Sequence, residues 1–364
     1  MSRFFQAEID LKALIKNFHF IKSIANRASQ KNKIIAIVKA DAYGHGAIEV
    51  SKTLQRLKVD YLGVAFYDEA VLLRESGVSC PILVLFDREV EGIFRHNLTP
   101  VIFDINHAKE LSTYAKKKKL TLSVHVKVET GMGRLGIYEN ICEQVRKIAT
   151  MPNLKLEGVL SHLSMAEDPY WSFQQISKLK EVKEYLNSVG LNPIFHIANS
   201  AGIFLNESSF DAVRPGLILY GYVTNEKKLE NITPCMTVKT KILDIRKLPK
   251  NTPISYGKTF ITKRESLIGV IPIGYADGYF RGLSNQGFVL VKGKKAPIVG
   301  VVCMELTMID LTEIPELQVG DEVVILGNSG DEKITAWDIA KWAGTIPYEI
   351  LTCLGSKAKR VYLY

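Results

Sequence analysis

The alternation of short apolar runs with amphipathic segments between Ile34 and Tyr220 constrains the fold more than any other feature of the sequence. Residues 173–186, for example, carry apolar side chains at helical spacing. Eight runs have the length and composition of β-strands: Ile34–Ala40, Tyr61–Phe66, Ile82–Phe86, Pro100–Phe103, Leu120–Val128, Leu156–Leu163, Ile194–Ala198 and Ala212–Tyr220. This α/β pattern predicts a parallel (β/α)8 barrel of the TIM type. An open doubly wound sheet is the alternative, and it fits less well because no glycine-rich first turn is present.

The alternation ends near residues 223–234, and the rest of the chain is dominated by strand patterns. One short helix is predicted around Ala336–Trp342. The predicted strands are Met236–Ile245, Leu267–Ile273, Phe288–Val291, Ile298–Cys303, Leu306–Leu311 and Glu322–Leu326, with turns at residues 292–294 and 327–330. We therefore expect two domains, a barrel over residues 1–228 and a C-terminal, mostly-β domain over residues 229–364.

Charge and cysteine usage argue against several classes of protein. The formal net charge is +9, but the densest basic run, Lys116–Lys119, ends an amphipathic helix and lacks interleaved aromatic residues. That pattern favours a solvated helix face over a nucleic-acid site, although the charge can attract anionic ligands. No segment approaches the ~18 apolar residues that a membrane helix needs, and the N-terminus does not resemble a signal peptide. We therefore expect no membrane segment. The five cysteines form no C-x-x-C pair, so we also expect no cysteine-bound metal and a reducing, cytoplasmic location.

In a barrel, reactive side chains belong at the C-terminal ends of the strands. The first strand ends at Lys39, which enters a turn containing glycine. Two interpretations of Lys39 stay open at this point. It is either a lysine that extends to the rim of the barrel, or a desolvated amine that forms a Schiff base.

Polar residues also follow the later strands of the barrel. Because they would meet at one face, they are harder to explain as core residues. The segment after the seventh and eighth strands is also where such barrels commonly bind phosphate. These residues are Lys127 and residues 129–134, Ser161 and His162, His196, Asn199 and Ser200, and Arg214 to Gly216.

Several motifs resemble those of the alanine racemases, in order and along nearly the whole chain. The segment 36–46, Ala-Ile-Val-Lys-Ala-Asp-Ala-Tyr-Gly-His-Gly, resembles the pyridoxal-phosphate attachment segment of that family. The stretch 273–278, Ile-Gly-Tyr-Ala-Asp-Gly, is similarly specific. The other matching segments are residues 130–136, 196–201, 214–216, 255–257 and 300–304.

The resemblance implies a racemase that uses pyridoxal 5′-phosphate (PLP) and supplies D-alanine for peptidoglycan. It implies that Lys39 binds the cofactor covalently and acts as one base. Tyr275, donated by the second subunit of a homodimer, is then the base on the opposite face, which an inversion requires. The resemblance places Arg214 at the pyridine nitrogen, where a guanidinium does not readily give up a proton. It also implies that His162 links Arg214 to Tyr275.

Further roles follow from the same resemblance. It assigns the substrate carboxylate to Arg134 and to the main chain of Met304. Lys127 matches a lysine that is carbamylated in some members of the family, and a carbamate on Lys127 would hold Arg134 in place. The cofactor phosphate is assigned to Tyr43, Ser200 and the backbone of Gly216 and Leu217, with Asn199 and Ser356 as further cofactor contacts.

The chain departs from the family pattern at two positions. Glu305 stands where aspartate is common, and Ser356 falls where several members carry a tyrosine that reaches the phosphate. Alternatives remain: a racemase of broader specificity, a barrel decarboxylase, a non-catalytic PLP carrier and a metal-dependent barrel hydrolase. Arg214 argues against the decarboxylase, and the C-terminal domain argues against the carrier. The metal hydrolase lacks clustered carboxylates and suitable histidine spacing.

Overall fold

The computed structural model describes residues 4–26, 32–205, 208, 210–223 and 230–364. These residues form two compact units. The barrel unit comprises the described residues of 14–42 and 47–233, and the sheet unit comprises 4–13, 43–46 and 234–364. The predicted boundary at 228/229 lies in the segment 224–229, outside the described residues.

The regular elements are as follows. The strands are β1 (Phe5–Asp10), β2 (Lys33–Ile37), β3 (Tyr61–Val64), β4 (Ile82–Val84), β5 (Thr99–Ile102), β6 (Leu122–Lys127), β7 (Leu154–Leu160), β8 (Ile194–His196), β9 (Ala212–Val213), β10 (Met236–Lys241), β11 (Asp244–Leu248), β12 (Pro253–Ile254), β13 (Phe260–Ile261), β14 (Ser266–Ile271), β15 (Phe288–Val291), β16 (Lys294–Pro297), β17 (Thr307–Asp310), β18 (Glu322–Ser329), β19 (Glu332–Ile334) and β20 (Lys359–Leu363). The α-helices are α1 (Leu11–Ala25), α2 (Lys39–Tyr43), α3 (Ala47–Arg56), α4 (Tyr67–Glu75), α5 (Glu91–Arg95), α6 (Ile105–Lys118), α7 (Ile141–Ala149), α8 (Pro169–Ser188), α9 (Ala336–Ala343) and α10 (Pro347–Lys357).

The barrel unit contains eight parallel strands, β2 to β9, as the alternating pattern predicts. Each strand pairs with the next along the chain from β2 to β8, and β9 pairs with β2. Backbone hydrogen bonds from Asp211 N to Phe195 O and from Arg214 N to Ala198 O join β8 to β9, so the barrel is nearly closed. The strand β9 is shorter than predicted because Pro215, which has no N–H to donate, follows it closely. The later part of that run, Leu217–Tyr220, is a 3-10 helix.

The predicted apolar face of α8 is buried against the barrel, with one exception. Ile176, Leu179, Val182 and Leu186 are buried, whereas Phe173 is exposed. No helix among the described residues is long and apolar enough to span a membrane.

The sheet unit is built around a seven-stranded sheet in the order β16-β15-β18-β10-β1-β20, with β19 paired to β18. The N-terminal strand β1 lies inside this sheet, antiparallel to β10 and parallel to β20. A three-stranded sheet, β11-β14-β17, and the hairpin of β12 and β13 complete it.

Several predictions for the second half of the chain were wrong in detail. The predicted strand Met236–Ile245 is two strands, β10 and β11, which belong to different sheets. The predicted strand Ile298–Cys303 forms only an isolated bridge at Ile298, and the ladder with β15 lies earlier, in β16. The predicted turn at residues 327–330 is largely strand, because β18 continues to Ser329. The strands β1 and β20 and the helix α10 were not predicted.

Candidate active site

Lys39 lies at the C-terminal end of β2 and opens a left-handed turn. The four residues Ala40–Tyr43 have φ values of 50°, 52°, 54° and 54°. An L-residue in this conformation costs about 1–2 kcal/mol, because its Cβ approaches the following carbonyl oxygen. The turn therefore stores strain next to the predicted reactive lysine, a place where strain often has a functional purpose.

Two carboxylates hold the backbone of this turn. Glu69 Oε1 accepts a hydrogen bond from Ala40 N at 2.6 Å, and its other oxygen accepts one from Ala65 N at 2.6 Å. Asp41 Oδ1 accepts a hydrogen bond from Ala47 N at 2.7 Å. Sequence reasoning missed Glu69, because nothing in its helical segment distinguishes it from a solvent-exposed acid.

Three cationic side chains converge on the ring of Phe86. Lys39 Nζ lies 5.3 Å from the ring centroid, Lys127 Nζ lies 5.6 Å away, and Arg134 Cζ lies 5.4 Å away. Cation–π attraction favours each contact, but the three like charges repel one another. Phe86 ends the third predicted strand, so its position was predictable from the sequence, whereas this role was not.

Burial and like charge together depress the pKa of both lysines. Burial lowers the pKa of Lys39, Arg134 lowers it further, and Glu69 opposes the change. Burial and the charges of Arg134 and Arg214 lower the pKa of Lys127 to about 8. A lysine with a lowered pKa supplies the neutral amine that a nucleophile or a base requires.

Arg214 follows β9 and is buried among hydrogen-bond acceptors. Its Nη1 donates to His196 Nδ1 at 2.8 Å and to His196 O at 3.0 Å. Its Nη2 donates to Ser161 O, to Ile197 O at 3.2 Å and to His162 Nδ1 at 3.2 Å. Both terminal nitrogens are thus engaged, and Nε is the one donor atom of this guanidinium without an acceptor in the described part of the chain.

His162 follows β7 and has its pKa held well below the ordinary value. Burial is the main cause, followed by the positive charge of Arg214. Because a guanidinium can only donate, the His162 Nδ1 accepts and its proton resides on Nε2. The neutral imidazole therefore presents an N–H donor on the side away from Arg214.

Glu129 supports the loop that carries Arg134. Its Oε1 accepts hydrogen bonds from the N–H groups of Gly131 and Met132, and its Oε2 accepts one from Arg134 N at 3.3 Å. Burial alone would raise the pKa of Glu129, but the backbone donors prevail and hold it below the ordinary value. The carboxylate thereby fixes the backbone from which the Arg134 side chain extends.

Three residues predicted to bind the phosphate, Ser200, Gly216 and Leu217, lie after β8 and β9 together with the predicted cofactor contact Asn199. Ser200 Oγ accepts hydrogen bonds from Gly216 N at 3.0 Å and Ile218 N at 3.3 Å. Asn199 Oδ1 accepts from Gly202 N at 3.0 Å, so its side chain caps the short helix Gly202–Phe204. The Leu217 N–H begins the next 3-10 helix and has no acceptor within the described residues.

Tyr275 and Met304 occur together in the sheet unit. Tyr275 N donates to Cys303 O at 3.0 Å, and Ala276 N donates to Met304 O at 2.9 Å. A side chain at Gly274 would collide with Cys303 O, so only glycine permits this close backbone contact. Tyr275 and Met304 remain 45% and 57% exposed, and both side chains lie on the surface of the unit.

Tyr43 and Ser356 also belong to the sheet unit. The Tyr43 ring lies 5.9 Å from the Tyr348 ring, and burial raises the pKa of Tyr43. Ser356 is exposed on α10, and its hydroxyl donates to Cys353 O at 3.2 Å. Glu305 is exposed beside Met304.

Comparison with known proteins identifies the family. A model described as the N-terminal domain of alanine racemase matches residues 9–224, and a model described as its C-terminal domain matches residues 235–362. The chain belongs to the alanine racemase family. Members of the family use PLP.

Individual relatives match this chain over nearly their whole length. The alanine racemase of Thermodesulfovibrio yellowstonii is 61% identical over 363 residues, covering 100% of this chain and 99% of that protein. The solved structure of alanine racemase from Bacillus anthracis with bound L-Ala-P has a TM-score of 0.91 and 33% identity, covering 100% of this chain and 96% of that one. The structure from Bartonella henselae with covalently bound pyridoxal phosphate has a TM-score of 0.89 and 30% identity, covering 99% of both chains.

Proposed function

We propose that this chain interconverts L-alanine and D-alanine with PLP as its cofactor. The observation that carries the proposal is the position of Lys39. This lysine follows a barrel strand and lies in a cationic cluster, where burial and then the charge of Arg134 lower its pKa. The predicted two-base chemistry requires such an amine, because it must bond to an aldehyde and exchange a proton.

The residues of the barrel unit suit the chemistry of PLP. Arg134 and Arg214 would balance an anionic cofactor and substrate, and Lys39 would supply the neutral amine. The Arg214 Nε–H would donate to the pyridine nitrogen, which it cannot protonate. The phosphate would be bound by Tyr43, Ser200 and the backbone of residues 216–217, with Asn199 and Ser356 as further cofactor contacts. The bound cofactor would withdraw electrons from the substrate Cα and so acidify its proton.

Two bases would complete the inversion. Lys39 would exchange the α-proton on one face, and Tyr275 of a second subunit would exchange it on the other. The exposure of Tyr275 and Met304 on the sheet unit supports a homodimer with shared active sites, because both would then contact the partner's substrate. His162, donating through Nε2, would link Arg214 to that tyrosine.

Arg134 and the Met304 main chain would bind the substrate carboxylate. We propose in addition that Lys127 carries a carbamate. Its pKa of about 8 leaves part of the amine neutral, and that amine can add to carbon dioxide with release of a proton. The anionic product would attract Arg134, whereas the free ammonium repels it. A mass increase of one carbon dioxide on Lys127, lost on acidification, is the expected finding.

We propose in addition that this activity supplies D-alanine for peptidoglycan in the cytoplasm. The direct test incubates the purified protein with L-alanine in D₂O and follows optical rotation and α-deuteration. We expect rotation to fall to zero as both enantiomers become deuterated. L-Serine in parallel tests a broader substrate range, and unchanged rotation with L-alanine would refute the proposal. Borohydride reduction should label Lys39, and a label on Lys127 instead would contradict the assignment.

The shared site has a separate test. Lys39→Ala and Tyr275→Phe variants, each inactive as a racemase, are mixed under conditions that exchange subunits. In a two-fold dimer, each mixed dimer has one site with both changes and one with neither. Random exchange makes about half of the dimers mixed, so activity should recover to about a quarter of the wild-type value. Heterodimers by native mass spectrometry without recovery would mean that Tyr275 acts within its own chain.

A further inference from the structure

Two buried histidines lie beneath Arg214 inside the barrel and have no part in the chemistry above. His196 Nδ1 accepts the hydrogen bond from Arg214, and His196 Nε2 lies 2.9 Å from His125 Nδ1. Both imidazoles are fully buried. Burial and the positive charge of Arg214 hold the pKa of both well below the ordinary value, so both are neutral.

The direction of each hydrogen bond follows from the chemistry of arginine. A guanidinium has no acceptor, so His196 Nδ1 must accept and the proton of His196 must reside on Nε2. That N–H donates to His125 Nδ1, which places the proton of His125 on its own Nε2. His196 Nδ1 therefore accepts from Arg214 and His125 Nδ1 accepts from His196, so one tautomer of each ring is specified.

The barrel backbone is shaped to hold the His125 ring. Between β6 and β7, Val124 pairs with Leu156 and His125 pairs with Gly158, so Glu157 is an extra residue in a bulge. A Cβ at Gly158 would lie 2.4 Å from His125 Nδ1, so only glycine leaves room for the imidazole. Bulges commonly re-aim a side chain, and this one brings Glu157 towards the ring.

At the far end of this hydrogen-bond chain, the Nε2–H of His125 lies near a carboxylate. Glu157 Oε2 lies 3.9 Å from His125 Nε2, which is within ion-pair range but beyond a hydrogen bond. Tyr61 contacts the His125 ring edge to face, with the centroids 5.8 Å apart, and also hydrogen-bonds to Glu157. Lys33 lies over the Tyr61 ring. Glu157 is thus the one carboxylate that faces His125 among the described residues.

We infer that His125 and His196 are positioning residues, which fix the orientation of Arg214 through a directed chain of hydrogen bonds that starts beside Glu157. The inference rests on the proposed function only for its consequence, the placement of Arg214 at the cofactor ring. If His125 is lost, Arg214 still holds the proton of His196 on Nε2, but that buried N–H loses its acceptor. The His196 ring is then free to rotate towards another acceptor, which weakens its hydrogen bond with Arg214 Nη1 and lets the guanidinium move.

The test uses the full chain labelled with ¹⁵N-histidine, with and without PLP. Nitrogen chemical shifts report the tautomer of each imidazole. In the wild type we expect His125 and His196 to carry their protons on Nε2, in both samples. His125→Phe keeps a ring but removes the acceptor. It should leave the proton of His196 on Nε2, move the Nε2–H resonance upfield because its hydrogen bond is lost, and raise the dissociation constant for PLP about tenfold, the loss expected for one unsatisfied buried donor.

Two further variants make the result specific. His107→Phe removes another buried histidine of the barrel unit. It should leave the His196 Nε2–H resonance unchanged and the PLP affinity within about twofold of wild type. Gly158→Ala displaces the His125 ring without removing a polar atom, so it should change the His196 resonance and the PLP affinity in the same direction as His125→Phe. It therefore tests the inference even if His125→Phe does not fold. Wild-type His196 with its proton on Nδ1, or no change in either His125→Phe or Gly158→Ala, would overturn the inference. Expected tautomers in a protein that binds no PLP would instead refute the proposed function alone.

Discussion

Replacing Ala40 by glycine should stabilise the protein and impair its use of Lys39. Ala40 has φ 50° and ψ 52°, and its side chain is exposed, so the substitution removes no packing. Relief of the left-handed conformation is worth roughly 1–2 kcal/mol. The greater freedom of glycine in the unfolded chain costs roughly 0.5–1 kcal/mol. The net gain is about 0.5–1 kcal/mol, or roughly 1–4 °C in Tm.

The matched control is Ala149→Gly, at the end of the right-handed helix α7. There glycine loses helix propensity, so stability should fall by about 0.5–1 kcal/mol. Urea denaturation of the cofactor-free proteins measures both changes. A freer turn should also hold Lys39 less rigidly, which we expect as a lower kcat at higher Tm. A loss of stability in Ala40→Gly equal to that of Ala149→Gly would show that the turn stores no strain.

Three other changes test the supports of the site. Glu69→Gln should lower the pKa of Lys39 further, because the Glu69 carboxylate raises that pKa in the wild type. Labelling of Lys39 by an amine reagent should then begin at lower pH, with Asp68→Asn as the control. An unchanged labelling profile in Glu69→Gln would show that Glu69 does not influence Lys39. Glu129→Gln should raise KM for alanine more than it lowers kcat, because the Arg134 loop loses its charged acceptor, and a change in kcat alone would contradict this reading. His107, His125, His162 and His196 all have lowered pKa values, so the unfolded chain binds protons that the folded chain does not as the pH falls below about 6.5. The free energy of unfolding should therefore decrease as the pH is lowered below about 6.5, by up to about 1.4 kcal/mol per pH unit for each histidine. The decrease should be less steep in His125→Phe. A free energy that does not change with pH would show that these histidines titrate normally.

The barrel was predictable from the sequence because its strands lie within nearly continuous apolar runs separated by amphipathic helices. The sheet unit was less so. Its strands β1 and β20 are separated in the chain by the whole barrel, and a local pattern carries no information about such distant pairing. The polar residues at the strand ends were identifiable by type and place. The roles of Phe86 and Glu69 were not predictable, because the contact of the Phe86 ring with three cations and the hydrogen bond of Glu69 to the turn depend on tertiary proximity.

The position of β1 inside the seven-stranded sheet also has a consequence for biosynthesis. The strand β1 precedes the barrel strands in the chain and leaves the ribosome before them, whereas one of its neighbours, β20, follows them. The barrel strands are therefore all synthesised while β1 still lacks both partners. A fragment that begins at Pro234 would lack β1, leaving the facing backbone groups of β10 and β20 unpaired and open to association with other chains.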